Sequence, residues 1–436
     1  MEKTKEKVII WFRNDLRIHD NELIFRASQK GATLIPVFCF DLRQFRATEL
    51  GFPKTNAFRA KFLIEAVADL QQSLQKLGSN LVVRIGEPEN IIPEIQQQTG
   101  AKAVFASKEV TSEEINIEQR LEAQLFKAGC KLNLYWQSTL YHLDDLPFPI
   151  KNLPDVYTQF RKEIERGTKI RNQFPTPQKL NPHEVSSQPL PTLADLGLPP
   201  IALEKRSVLS FEGGETAAKA RLKHYFWEKD MLRVYKETRN GLVGANYSSK
   251  FSAWLSLGCL STRYIYDEVK KYERERINND STYWLIFELI WRDYFRFVAK
   301  KYESKIFRYE GIRNQALALK EDKLLFERWK EGKTGIPFVD ANMIELKKTG
   351  FMSNRGRQNV ASYLVKDLKV NWQWGAMWFE SQLIDYDVCS NWCNWNYVAG
   401  IGNDPRENRY FNIPSQAQKY DPKGEYVQLW LGKNLD

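Results

Sequence analysis

The run Asp385-Tyr-Asp-Val-Cys-Ser-Asn-Trp-Cys-Asn-Trp-Asn-Tyr397 carries two carboxylates, Asp385 and Asp387. An amide follows at Asn391, then three aromatics, Trp392, Trp395 and Tyr397. Upstream stand Asn354-Arg-Gly-Arg357 and the indoles Trp372, Trp374 and Trp378. A core without a chemical task is built from Leu, Ile and Val. Indole is large, flat and easily oxidised. Gathered beside Asp, Asn and Arg, it suits a planar redox cofactor that exchanges electrons with its protein, and the pattern points to a flavin that uses light.

Two further stretches could serve such a cofactor and its substrate. Asn246-Tyr-Ser-Ser-Lys-Phe-Ser252 precedes Ala-Trp-Leu-Ser-Leu-Gly258. Hydroxyls and a lysine gather where a helix begins, so free N–H groups and serine donors could hold a diphosphate. The plainer alternative is an ordinary serine cap. Phe287-Glu-Leu-Ile-Trp-Arg-Asp-Tyr-Phe-Arg296 places Glu288, Trp291 and Arg292 on one helical face. That trio could stack on and hydrogen-bond an extruded base. Arg296, Lys300, Lys301, Lys305 and Arg308 downstream could meet phosphates. The alternative is a solvated charged face with a half-buried indole. The four histidines, His19, His142, His183 and His224, fall outside these motifs. A mechanism needing a histidine acid in the flavin pocket is therefore disfavoured.

These residues need elements to position them. Residues 1–137 alternate apolar strands (Lys7–Phe12, Leu34–Phe40, Asn80–Ile85, Ala101–Ala106 and Lys131–Trp136) with amphipathic helices such as Asn56–Leu77 and Ser112–Ala128. Continuous apolar strands separated by helices predict a doubly wound parallel sheet. The turn after the first strand, Arg13-Asn-Asp-Leu-Arg17, has no glycine, which argues against a nicotinamide-binding fingerprint. Residues 138–205 hold ten of the 18 prolines and read as a connector with one short helix near Val156–Glu165. From residue 206 to 436 the spacing is helical, over Thr216–Trp227, Ser261–Glu275, Tyr283–Lys301 and Arg355–Asp367. Eleven of the 13 tryptophans follow residue 226, so this all-helical domain should hold the cofactor.

The net charge of +10 suits a polyanionic partner. Five cysteines in 436 residues make no disulfide framework, and Cys389 with Cys393 lacks the second pair a zinc site needs, so no metal is expected. No apolar run approaches membrane-spanning length. The expectation is a cytoplasmic monomer, or an organellar one if a transit peptide has been removed.

At this point the chain resembles the photolyase/cryptochrome family, and most closely its DASH branch. The likeness rests on Trp11-Phe-Arg-Asn-Asp-Leu-Arg17, Tyr235-Lys-Glu-Thr-Arg-Asn-Gly241, Tyr247-Ser-Ser-Lys250 and Phe351-Met-Ser-Asn-Arg-Gly-Arg-Gln358. Asp385-Tyr-Asp387 and the segment from Gly402 to Asp421 complete it. The resemblance implies that Tyr235 and Ser248, Ser249, Lys250, Phe251 and Ser252 hold the phosphates of a U-shaped FAD. Asn354 and Arg357 would lie against the flavin, with Arg357 paired to Asp385. Asp387 would bond the ring edge and Asn391 would face N5. Trp291 and Tyr397 would wall a lesion pocket, with Glu288 bonded to the lesion. Arg239, Arg292, Asn354, Arg355 and Gln416 would meet DNA. Glu109 matches a residue that binds the pterin of an antenna folate, 5,10-methenyltetrahydrofolate.

The implied activity is light-driven repair of cyclobutane pyrimidine dimers, preferentially in single-stranded DNA, by an electron from excited reduced FAD. The alternative is a blue-light photoreceptor that binds DNA or a regulator without repair. A reader of (6-4) photoproducts would need pocket histidines that this chain lacks. The family's electron relay maps onto Trp395 and Trp372, but its third, near-surface position falls on Leu319, which cannot be oxidised. Photoreduction should therefore be inefficient and improve in Leu319→Trp, unless Trp374, Trp378 or a nearby tyrosine substitutes. The closing Leu429–Asp436 segment also departs from the family pattern.

Overall fold

The computed structural model describes residues 6–29, 31–406 and 409–432. Glu407, Asn408 and the last four residues of the Leu429–Asp436 segment lie outside them.

Five short apolar strands form one parallel sheet: β1 (Lys7–Trp11), β2 (Thr33–Phe40), β3 (Val82–Ile85), β4 (Ala103–Ser107) and β5 (Lys131–Tyr135), in the order β3-β2-β1-β4-β5. Ile9 of β1 pairs with Ile35 and with Val104. Successive side chains point to opposite faces. Val8 and Ile10 therefore pack with Phe62 and Leu70 of α2 (Ala57–Lys76), on the side that also receives α1 (Glu22–Gln29). Ile9 and Trp11 pack with Ile92 and Ile95 of α3 (Pro88–Thr99) and Leu121 of α4 (Ser112–Lys127). This is the doubly wound sheet that the alternating pattern predicts, with strand ends displaced by one or two residues.

The proline-rich stretch first packs on the helical half, its Leu140 and Tyr141 N–H groups donating to Asp293, contributes α5 (Tyr157–Gly167), and later reaches the edge of the sheet. The N–H of Leu180 donates to Leu77 and that of Gln188 to Val83, covering an edge that would otherwise present unpaired groups.

The remainder is helical: α6 (Glu215–Lys223), α7 (Tyr235–Thr238), α8 (Ser252–Ser256), α9 (Thr262–Glu275), α10 (Asp280–Tyr302), α11 (Lys323–Lys330), α12 (Pro337–Thr349), α13 (Asn354–Ser362), α14 (Trp372–Gln382), α15 (Val388–Ala399), α16 (Ile413–Tyr420) and α17 (Glu425–Leu431). Asn279 caps α10 in a reciprocal box with Thr282, and the Asp387 side chain caps α15. The sequence predicts one helix over Arg355–Asp367. The backbone instead widens into a π turn over Tyr363–Asp367, and just before it, in α13, the Val360 carbonyl accepts 2.9 Å from the Trp329 indole.

The glycine-free turn Arg13–Arg17 is a docking element. The Leu16 N–H donates 3.0 Å to Leu257, and Arg17 donates 2.8 Å to Gly258. Gly258 has φ +64°, and an added Cβ would stand 2.7 Å from the Asn14 carbonyl carbon. Only glycine allows that approach. Buried Asp20 takes two bonds from Arg263, at 2.7 and 2.9 Å, and joins the halves again.

Candidate functional site

A cavity of about 430 Å³ opens in the helical half, and a smaller one of about 90 Å³ shares its Asn354, Arg357, Asp385 and Asp387 wall. One wall is the loop Ser248–Ser252. Lys250 sits there at φ +63°, a conformation costly for a residue with a Cβ. Its ammonium lies 3.0 Å above the Tyr247 ring centroid and donates 3.1 Å to Ser248 Oγ. Burial, and Arg221 behind it, push Lys250 well below the usual lysine range. The helix that follows is only five residues long, so its dipole is slight. The hydroxyls and Lys250, rather than a helix end, make this wall polar.

Arg357 forms the opposite wall. It donates 2.9 Å to Asp385 Oδ2 and 2.9 Å to the Met352 carbonyl. Asp385 Oδ1 is buried without a partner, an acceptor kept free against the cavity. Burial pushes the Asp387 carboxyl up, but Arg292 at 3.6 Å and the Ser390 N–H at 2.7 Å outweigh it and hold it low. Asn391, in the smaller lobe with Trp395, commits its Nδ2 to the Ala376 carbonyl at 3.1 Å. Tyr235 and Phe251 line the larger lobe.

The mouth is built on α10. Glu288, Trp291 and Arg292 all line the cavity, so the helical face that could have been solvated forms one side of a cleft. Arg239 pairs with Glu288 at 2.7 Å. The pocket walls push the Glu288 carboxyl up, opposed by Arg239 and the Trp284 indole. Trp291 meets the Tyr397 ring edge-on at 6.3 Å, and Arg409 donates 2.8 Å to the Tyr397 hydroxyl.

Other predicted residues are engaged by neighbours or set apart from the cavity. Arg355 stacks 4.4 Å over Tyr420 and donates to Gln358 and Asn240, beside the mouth. Gln416, one turn before Tyr420 on α16, keeps Oε1 buried without a partner. Arg292 spends its guanidinium on the Ser138 and Leu255 carbonyls at 2.5 and 3.2 Å. Glu109 is buried between the sheet and α10, 2.7 Å from Arg296. That pairing corrects the expectation for Arg296, which faces the first domain and no phosphate. Lys301 is likewise taken by Asp155 at 2.8 Å. The C-terminal half of α10 packs inward, which periodicity along one helix does not reveal.

The tryptophan cluster divides. Trp395 lines the smaller lobe, and Trp372 is fully buried, 5.8 Å from Trp392. Trp374 instead packs on Phe326, and Trp378 on Phe52 of the first domain. Sequence reasoning missed Tyr157, whose ring stacks on Trp291 at 3.6 Å and 12°. It comes from the connector, where no local pattern ties it to the site. Among the described residues the cysteines are free and buried, no acidic, His or Cys cluster could hold a metal, and no helix is long and apolar enough to cross a membrane.

A two-lobed polar and aromatic cavity with an orphan carboxylate oxygen, a guanidinium and a hydroxyl-rich loop fits a flavin dinucleotide. Comparison with known proteins agrees. Residues 284–434 match the FAD binding domain of DNA photolyase, and residues 8–179 match DNA photolyase. A cryptochrome DASH of Synechocystis sp. is 55% identical over 438 residues, covering 100% of this chain and 90% of that protein. Cryptochrome DASH, chloroplastic/mitochondrial, of Arabidopsis thaliana is 51% identical over 98% of this chain and 76% of its own length. The crystal structure of the Synechocystis sp. PCC6803 cryptochrome superposes with a TM-score of 0.95, over 99% of this chain and 90% of that one. A class III photolyase from Agrobacterium tumefaciens reaches 0.85 at 27% identity, over 99% of this chain and 88% of its own. Sequence, fold and cavity thus converge: the chain belongs to the photolyase/cryptochrome family, in its cryptochrome DASH branch, and its helical half is an FAD-binding domain.

Proposed function

We propose that this chain binds DNA and repairs cyclobutane pyrimidine dimers under blue light, preferentially in single strands. The observation that carries this reading is the convergence of Glu288, Trp291 and Tyr397 on the mouth of the same cavity that Ser248–Ser252, Arg357 and Asp385 line. FAD, when bound and reduced, supplies on illumination the electron that opens the dimer ring and takes it back. The protein's part is position and electrostatics. Lys250 and the serine hydroxyls would hold the diphosphate. Arg357, Asn354 and Asp385 would orient the ring system, and Asp387 would accept from its edge. Asn391 has its Nδ2 engaged by Ala376. It would present its carbonyl oxygen, an acceptor suited to a flavin protonated at N5.

Trp291, backed by Tyr157, and Tyr397 would wall the pocket of the extruded dimer. Glu288 would stabilise charge developing on it. Arg239, Arg355 and Gln416 would hold the flanking strand. Flipping costs a few kcal/mol of unstacking, least in a strand already single. The same reading divides the chain into an antenna-binding domain at 1–137, a connector at 138–205 and the FAD domain at 206–436, working as a monomer in the cytoplasm, or in an organelle after removal of a transit peptide. Glu109 would bind a folate antenna only if it exchanged its partner Arg296.

The test is light-dependent loss of thymine dimers from single-stranded and duplex DNA by the FAD-loaded chain and by Glu288→Ala. The expected result is repair of single strands, and a severalfold loss in the variant with FAD still bound. Equal yields would remove Glu288 from the mechanism. Absence of repair in the parent would leave the photoreceptor reading.

A further inference from the structure

Trp372 and Trp392 are 0% and 7% exposed, so an oxidised indole at either position is shut off from any reductant in solution. Leu319, where the family relay would reach the surface, is no electron donor. The structure places a different aromatic there. The Trp372 indole donates 3.0 Å to the main-chain carbonyl of Tyr309. The Tyr309 phenol reaches across to the Leu319 segment, donating 2.8 Å to the Leu317 carbonyl and accepting 3.2 Å from the Leu319 N–H. That segment is tied in turn to the start of α14, with the Asn371 N–H on the Lys320 carbonyl at 2.9 Å. Tyr309 is half-buried, so the residue that Trp372 bonds through its main chain also carries an oxidisable phenol with access to water.

The other indoles serve less well. Trp374 is 6% exposed and packs on Phe326, which does not oxidise readily. Trp378 is 4% exposed, with the Lys330 ammonium 5.2 Å from its ring centroid, and a cation over the ring disfavours a positive hole there.

We infer that Tyr309 is the exit of the electron relay in this chain, standing in for the tryptophan that Leu319 replaces. The inference rests on the reading of Trp395 and Trp372 as the inner relay to oxidised FAD. On illumination one electron passes inward to FAD and leaves a hole on Trp372. The Tyr309 phenol gives one electron to Trp372 and its proton to water, becoming a neutral tyrosyl radical. A thiol in solution returns a hydrogen atom to the phenoxyl oxygen and leaves as a thiyl radical. Tyr309 is restored, and FAD keeps the electron.

The experiment illuminates the FAD-loaded full chain with dithiothreitol and follows flavin bleaching. In parallel, a nitroso spin trap replaces the thiol, and adducts are mapped by peptide mass spectrometry. The parent should bleach at a rate that Leu319→Trp scarcely improves, and the trap should sit on Tyr309. Tyr309→Phe should bleach severalfold more slowly with FAD content unchanged, and Tyr309→Trp should restore the rate. An adduct on another aromatic, or equal bleaching in Tyr309→Phe and the parent, would overturn the inference. The parent adduct needs no variant, so a poorly folding variant leaves the result readable. Repair by dithionite-reduced protein bypasses the exit, so its failure would count against the repair reading and not against Tyr309.

Discussion

Gly375→Ala is a test in which two physical effects compete with opposite sign. Gly375 lies inside α14, where alanine is favoured over glycine by about 1 kcal/mol. Propensity alone therefore predicts a more stable protein. The structure predicts the reverse. A Cβ at residue 375 would stand 2.7 Å from Trp395 Cζ3 and 2.7 Å from Leu364 Cδ2, with Trp395 Cη2 closer still. Carbon contacts settle near ~3.5–4.0 Å, so the indole would have to retreat on the order of 1 Å. The only open space beside it is the smaller lobe, where the flavin would lie. Trp395 is 2% exposed and is held edge-on by Phe379 at 5.1 Å and Trp329 at 6.3 Å. Overpacking of this kind costs roughly 1–3 kcal/mol, which offsets or exceeds the helix gain and leaves a net loss of up to about 2 kcal/mol. Trp395 also lines the smaller lobe beside Asn391, so FAD affinity should fall with it. Denaturant unfolding of the full chain and FAD titration are the assays. Gly167→Ala, at the end of α5 with open space around its Cβ, is the control and should be neutral or stabilising. A Gly375→Ala protein as stable as the parent, with unchanged FAD affinity, would refute the claim that α14 needs bare backbone under Trp395.

Other outcomes follow from the same geometry. Burial pushes the Glu345 carboxyl, which accepts from Tyr426 at 2.6 Å, from 4.5 up to about 8. The folded chain keeps a proton that the unfolded chain releases, so stability should fall as pH rises across that window, by at most roughly 5 kcal/mol. Glu345→Gln should flatten the decline in pH-dependent melting curves, and an unaltered slope would remove Glu345 as its source. Lys250 is held well below its usual range by burial, and a bound diphosphate should raise it again. FAD binding should then take up a proton and weaken as pH rises, and Lys250→Met should lose both effects in calorimetry across buffers of different ionisation heat. Affinity for single-stranded DNA should fall with salt, and replacing Arg239 or Arg355 should each reduce the log–log slope by about 0.7. A salt-insensitive affinity would contradict the phosphate contacts.

Much of this protein is local and so legible in the chain. A buried parallel strand must be apolar on both faces, and the runs at Lys7–Trp11 and Thr33–Phe40 declare themselves that way. The trio Glu288, Trp291 and Arg292 follows from helical spacing over a few residues, whereas the Asp387 cap of α15 emerged only in the structure. The Arg357–Asp385 pair was reachable only through the likeness to a known family. Contacts between distant segments have no such signature. That Arg296 turns inward to Glu109 across 187 positions depends on how α10 lies against the sheet. That Tyr157 backs Trp291 depends on where a proline-rich connector comes to rest. Leu319 by itself reads as a broken relay. Tyr309, ten residues earlier, reaches Leu319 only because the loop folds back on itself and Trp372 packs beneath it, an arrangement that side-chain packing decides and local periodicity does not encode.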